Sequence, residues 1–109
     1  MEFHDALFEG LSFEAAARRR QSSCRIGLQV YRKPDSSVRH RITIRAESLL
    51  SLTSSVDFRE LLDYAGSGNV SYGYLKRSKS RGRDARAVFR LYLVDGYVEI
   101  VAQRFRVER

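Results

Sequence analysis

Residues 89–102 read FRLYLVDGYVEIVA, two alternating apolar runs on either side of Asp95-Gly96. Asp-Gly between such runs is the strongest short-range hairpin signal a sequence offers, because the tight turn needs positive φ and the strands need period two. A two-residue loop at Asp95-Gly96 pairs Val94 with Tyr97, Tyr92 with Glu99 and Arg90 with Val101. Parity then places Ala87, Phe89, Leu91, Leu93, Val98, Ile100 and Ala102 on one buried face. Past Ala102 the alternation fails, and a bulge near Gln103 would restore it.

Working outward, Asn69–Arg77 reads as another strand, with Val70, Tyr72, Tyr74 and Lys76 on one face. Cys24, Ile26, Leu28 and Val30 alternate with polar residues, and Val38, His40, Ile42 and Ile44 do the same. Lys33-Pro34-Asp35-Ser36 lies between them as a turn, so the two runs form a second hairpin.

Two segments read as helices. Ser12 is a fitting N-cap for a helix through Ala15-Ala16-Ala17 to Arg18-Arg19-Arg20, with Glu14 early and the arginines late, as the helix dipole favours. Ser54 or Ser55 caps the second, whose Phe58, Leu61, Leu62 and Ala65 form one apolar stripe ending at Gly66. Glu47–Leu52 has no clear pattern and could form a helical turn leading in. The order α-β-β-α-β-β-β predicts an α+β fold, an antiparallel sheet of about five strands with helices on one face. Phe58, Leu61, Leu62, Phe89, Leu91, Val98 and Ile100 are then the expected core.

One hundred and nine residues suit a single domain, 1–109, able to form a core without cross-links. The one cysteine, Cys24, excludes an intrachain disulfide and has the parity of its strand's core, which predicts an inert buried thiol. No apolar run approaches the ~20 residues of a membrane span, and the first ten residues lack signal-peptide character, so a cytoplasmic, soluble protein is expected.

Charge is distributed unevenly. The net charge is +7, yet residues 76–90, KRSKSRGRDARAVFR, carry seven bases against Asp84 alone. Thirteen bases and twelve acids make up the rest. Codon preference in a GC-rich genome explains the excess of Arg over Lys, but not this clustering. Concentrated cations hold polyanions by releasing counterions. Residues 78–84, polar and rich in like charge, predict a mobile basic loop.

The outward parity of the strands gathers Arg25, Gln29, Tyr31, Arg39, Arg41 and Arg45 from the first hairpin, and Arg86, Arg90, Tyr92 and Tyr97 from the last. Glu99 is the acid this parity places among them. Tyrosine rings and guanidinium planes stack on bases, and the charge follows phosphates. The sequence therefore predicts a small, non-enzymatic nucleic-acid-binding protein, with single-stranded DNA or RNA favoured. Its expected site comprises Lys76, Arg77, Lys79, Arg81, Arg83, Arg86, Arg90, Arg39, Arg41, Arg45, Tyr31, Tyr72, Tyr74 and Tyr92.

Two alternatives stand beside it. One is a protein-binding adaptor or inhibitor that grips an acidic partner by the basic loop or a sheet edge. The other is a small ribonuclease: compact basic domains such as the RelE-type toxins cleave RNA with Arg, Tyr and Lys, although the hairpin ahead of the second helix departs from their pattern. An edge strand, Tyr97–Val107 or Cys24–Arg32, would let a second copy pair into a homodimer. No metal or cofactor is expected: His4, His40 and Cys24 lack ligand spacing, and Gly66-Ser67-Gly68 does not complete a dinucleotide fingerprint. His40 shares parity with Ile42 and Ile44, which predicts a half-buried core residue.

Overall fold

The computed structural model describes residues 2–15, 22–33, 37–64, 68–78 and 85–109. Its elements are β1 (Glu2–Glu14), β2 (Ser23–Tyr31), β3 (Arg39–Val56), α1 (Phe58–Asp63), β4 (Val70–Arg77), β5 (Ala87–Leu93) and β6 (Gly96–Glu108). The strands form one antiparallel sheet in the order β1-β2-β3-β6-β5-β4. This overturns the α+β expectation: the sheet has six strands where about five are expected, and among the described residues no helical layer covers it.

Strand pairing takes the start of the first predicted helix and the expected cap of the second, whose residues 58–63 do form a helix, α1. Ser12, Phe13 and Glu14 pair with Arg25, Cys24 and Ser23, so the expected N-cap is a ladder residue. Residues 16–21, which include the arginine triplet, lie outside the described residues. Glu47–Leu52, Ser54 and Ser55 belong to the 18-residue β3, which pairs with β6 as far as Val56–Gly96. Only one turn or so of the second helix remains. Asp57 caps it, its Oδ1 accepting from the N–H of Arg59 (3.0 Å) and Glu60 (3.1 Å). A backbone partner available along the whole of β6 outweighs local helix propensity, which is only a weak prior.

The sheet curls until its edges meet, so its inner face packs on itself and needs no helices. Asn69 joins the edges. Its N–H donates to the Ala6 carbonyl (3.1 Å), its Oδ1 accepts from the Phe8 N–H (2.7 Å), and its carbonyl accepts from the Val94 N–H (3.1 Å). At 3% exposure it is the one buried polar residue among those described, and its bonds satisfy it. Gly68, at φ +101°, passes so close to β1 that an added Cβ would lie 2.4 Å from the Asp5 carbonyl oxygen. Beyond the clip, the Phe3 ring meets Phe89 edge-on at 5.5 Å.

The core lies inside the curl: Ile26, Leu28, Ile42, Ile44, Phe89, Leu91, Val98 and Ile100 among others. All seven residues assigned to the buried face of the last hairpin are buried. Phe58 and Leu62, expected beside them, are 74% and 77% exposed, and Leu61 is partly buried against the core.

The first hairpin has the expected parity, with Cys24 opposite Ala46 and Tyr31 opposite Arg39, although Val38 is exposed. Residues 34–36 of its turn lie outside the described residues. The last hairpin turns at Val94-Asp95, not Asp95-Gly96. Leu93 pairs with Gly96, Tyr92 with Tyr97 and Arg90 with Glu99. Gly96 sits in the strand because a Cβ there would lie 2.0 Å from the Ser55 carbonyl oxygen. The two-residue shift preserves every face, which is why the buried set was right despite the wrong register.

Inward parity on β6 changes between Ala102 and Phe105. On β3 it changes between Ala46 and Leu49, where Ser48 adopts φ 55°. The predicted irregularity near Gln103 is thus a joint kink of both strands, with a register shift between Leu49 and Ser51. A further shift between Val70 and Tyr72 turns Val70 inward, away from the face of Tyr72, Tyr74 and Lys76. The sheet edges are β1 and β4, while β2 and β6, the expected edges, are interior strands.

Candidate nucleic-acid interface

The strand register divides the predicted site into two surfaces. Arg45 stands opposite Arg106 on β6, while Arg90 stands opposite Glu99, seven residues away along that strand. At ~3.3 Å per residue the two regions are roughly 23 Å apart along the ladder. The arginines of the first hairpin and the tyrosines of the last therefore do not form one surface.

The arginine row is already paired. Arg41 donates to Glu9 through Nε (3.0 Å) and a terminal nitrogen (3.3 Å), and Gln29 donates to the same carboxylate (3.0 Å). Arg39 donates to the Asp5 carbonyl (3.2 Å) and lies 5.1 Å from the centre of the Tyr31 ring. Glu47, its side chain 17% exposed, takes Arg104 at 2.7 Å, Arg106 at 3.1 Å and Arg45 at 3.8 Å. Arg104 donates to it twice. That hydrogen bonding and the charges of Arg104, Arg106 and Arg45 outweigh partial burial and hold the Glu47 carboxyl below its ordinary range. For Glu9, the Gln29 hydrogen bond and Arg41 do the same against desolvation. The face thus mixes both signs, although its arginines outnumber their carboxylates.

Glu9 escaped sequence reasoning because the N-terminal segment carried no regular pattern. Glu47 escaped because its segment has no clear pattern and reads at most as a helical turn. Continuing β3 through Arg41, Thr43 and Arg45 would have placed Glu47 on the arginine face.

The second surface is the outer face of β4, β5 and β6. Cross-strand register sets Tyr72 beside Tyr92, Tyr92 beside Tyr97, and Tyr74 beside Arg90. The Tyr72 and Tyr92 rings are near-parallel at 6.2 Å, and Tyr72 and Tyr74 lie 6.0 Å apart. The Arg90 guanidinium lies 4.7 Å from the centre of the Tyr97 ring and 5.0 Å from that of Tyr92, and it is clamped by an ion pair to Glu99. Lys76 Nζ lies 4.8 Å from the centre of the Tyr74 ring. Tyr72, 57% exposed, is the most open of the four rings. Tyr97 was placed on this face by parity; the corrected register moves Glu99 from Tyr92 to Arg90.

This face runs along β4 into the basic hairpin. At its base the Ser78 N–H donates to the Arg86 carbonyl (2.8 Å), and the Arg86 N–H donates to Ser78 Oγ (3.1 Å). Arg77 pairs with Ala87, an inward position, and so belongs to the inner rim. Arg77, Arg86 and Arg104 border a shallow hollow there. Lys79, Arg81 and Arg83, and all of the 78–84 loop expected to be mobile except Ser78, lie outside the described residues, and Ser78 itself is tied to Arg86.

Other chemistry is sparse. Cys24 is buried, and burial pushes its thiol up to about 11, so it remains protonated and unreactive at neutral pH. His40 is partly exposed on the inner side. Among the described residues no group of His, Cys, Asp and Glu is placed to hold a metal ion, and no helix is long and apolar enough to cross a membrane. Comparison with protein-family models, curated proteins and solved structures finds no match.

Proposed function

We propose that the protein binds single-stranded nucleic acid along the outer face of β4–β6 and the basic hairpin that joins β4 to β5. The observation that carries this reading is the convergence of Tyr72, Tyr74, Tyr92 and Tyr97 around Arg90, continuous with the stretch that holds seven of the chain's bases. Bases stack on the open Tyr72 ring and its neighbour Tyr92, because every base has an aromatic face. Phosphates meet Lys76, Arg86 and the loop arginines. Arg90, held by Glu99, orients rings. Arg41 and Arg45 contribute less, since Arg41 is ion-paired with Glu9 and Arg45 lies beside Glu47 and Glu108, and Arg39 is remote from the tyrosine face.

Fluorescence anisotropy with oligo-dT, oligo-U and duplex DNA at two salt concentrations tests this. Replacing Tyr72 or Tyr92 by Ala should cost single-strand binding ~1–3 kcal/mol per stacked base and spare duplex. Replacing Lys76, Arg77, Lys79, Arg81 and Arg83 by Ser should flatten the salt dependence by roughly three or four logarithmic units, at about −0.7 to −0.9 per phosphate. A parent protein that binds none of these probes at low salt would end the reading.

One observation favours the adaptor alternative. Phe58 and Leu62 stand exposed over a groove lined by Phe8, Leu11, Val56 and Leu61, beside the edge strand β1. Nucleic acid that co-purifies with the protein and is removed by salt would decide between the two readings.

A further inference from the structure

Three inward-facing columns change from apolar to basic at the same end of the curl. On β2 the column runs Cys24, Ile26, Leu28, Val30 and then Arg32, just past the strand. On β3 it runs Ala46, Ile44, Ile42 and then His40. On β6 it runs Phe105, Val107 and then Arg109. Register brings the three ends together: Val30 pairs with His40, and Thr43 with Glu108. Arg32, His40 and Arg109 accordingly border a hollow of about 430 Å³ whose apolar wall is Val30 and Ile42.

The charges there are uneven. Arg41 also lines the hollow, but Glu9 holds it at 3.0 Å. Among the described residues, Arg32 and Arg109 have no hydrogen-bond or ion-pair partner, and no Asp or Glu side chain lines the hollow. Two guanidinium groups with no acidic side chain beside them among the described residues, an imidazole and two buried aliphatic side chains select a ligand with a compact double negative charge and an apolar body. A carboxylate would leave one guanidinium without its counter-charge. A phosphate monoester satisfies both, because each planar fork matches a pair of its oxygens. The volume lies in the range of small-molecule pockets, about 300–1,000 Å³.

We propose that this hollow binds a small organic phosphate monoester, its phosphate held by Arg32 and Arg109 with a hydrogen bond from His40, and its apolar portion against Val30 and Ile42. The site does not depend on the nucleic-acid reading. Arg109 lies ten residues along β6 from Glu99, roughly 33 Å at the strand rise, so the two sites are separately addressable.

The test is a ¹⁵N–¹H correlation titration of the full chain at constant ionic strength, with phenyl phosphate, inorganic phosphate and benzoate as probes. Phenyl phosphate should shift the amides of Val30, Arg32, His40, Ile42 and Arg109 saturably, leave Tyr72 and Tyr92 unmoved, and bind about tenfold or more tighter than benzoate. It should also outbind inorganic phosphate, which lacks the apolar part. The double variant Arg32→Ser/Arg109→Ser, its fold verified by retained dispersion of the core amides, should lose about tenfold or more in affinity, while Arg41→Ser changes it by less than about twofold. Non-saturating shifts, equal affinity for benzoate, or an unchanged double variant would overturn the proposal. So would shifts of this group with a 5′-phosphorylated oligonucleotide but not with phenyl phosphate. Loss of oligonucleotide binding in the Tyr72→Ala variant, with phenyl phosphate binding intact, keeps the fates of the two readings distinguishable.

Discussion

Asn69 and Gly68 carry more of the fold than any pair of charged residues. The asparagine uses its amide oxygen, its N–H and its carbonyl to join β1, the start of β4 and the β5–β6 turn. Gly68 lets that backbone approach Asp5. Gly68→Ala meets both a positive φ and a backbone oxygen at 2.4 Å, so it should cost at least the ~1 kcal/mol of a strained backbone, and more where β1 is pushed away. Urea denaturation measures it. In the core, Leu91 is fully buried, and Leu91→Ala should cost about 2–5 kcal/mol on the same assay.

Glu47 gives a pH signature. Its carboxyl is held below the ordinary value of 4.5, first by the Arg104 hydrogen bond and then by the charges of Arg104, Arg106 and Arg45. A carboxyl whose pKa is lower in the folded state stabilises the fold above its unfolded pKa, and that contribution disappears as pH falls through the folded value. Glu47→Gln should therefore be less stable than the parent at neutral pH and lose less stability on acidification below 4.5. Parallel pH curves from chemical denaturation would contradict the assignment.

At the scale of elements, α1 forms where its spacing predicts, but strand pairing takes its expected cap and leaves its apolar stripe outside the core. Phe58, Leu61, Leu62 and Ala65 have ideal spacing for an amphipathic helix. Yet Ser54 and Ser55 are committed to β6, the helix begins only after Asp57, and Phe58 and Leu62 point into solvent. Phe58→Ser and Leu62→Ser should therefore each change stability by no more than about 0.5 kcal/mol, the usual range for surface sites. A loss of several kcal/mol in thermal or urea unfolding would return these residues to the core. The β5–β6 hairpin teaches the complementary lesson. Its turn was misplaced by one residue and its register by two, yet parity held, because a shift of two leaves every side chain on its own face.

For the whole molecule, the register of β6 between β3 and β5 separates surfaces that parity alone would merge. The arginine row and the tyrosine face share outward parity, but the long β3–β6 ribbon spreads them over roughly 23 Å at the strand rise. Arg41→Ser and Tyr72→Ala share no partner in the structure. Their effects on stability and on oligonucleotide affinity should add within ~0.3–0.5 kcal/mol, as expected of distant sites. A double-mutant cycle with a larger coupling would mean that one ligand spans both surfaces.

What the sequence by itself determined is local or has period two. The strands Cys24–Arg32, Val38–Arg45, Asn69–Arg77 and 86–107, the inward set from Ala87 to Ala102, the buried Cys24 and the tyrosines of the last hairpin all follow from alternation. What only the tertiary structure decided is long-range pairing. β1 is a strand because β2 offers it an edge, and β3 runs to Val56 because β6 lies alongside. Glu9 and Glu47 neutralise the arginines because those strands exist. Asn69 closes the curl across 61 residues of chain. Helix propensity differs among ordinary residues by ~0.7 kcal/mol or less each, and a ladder that satisfies every backbone group along a long strand exceeds that sum. No local pattern records which distant segment will supply the partner.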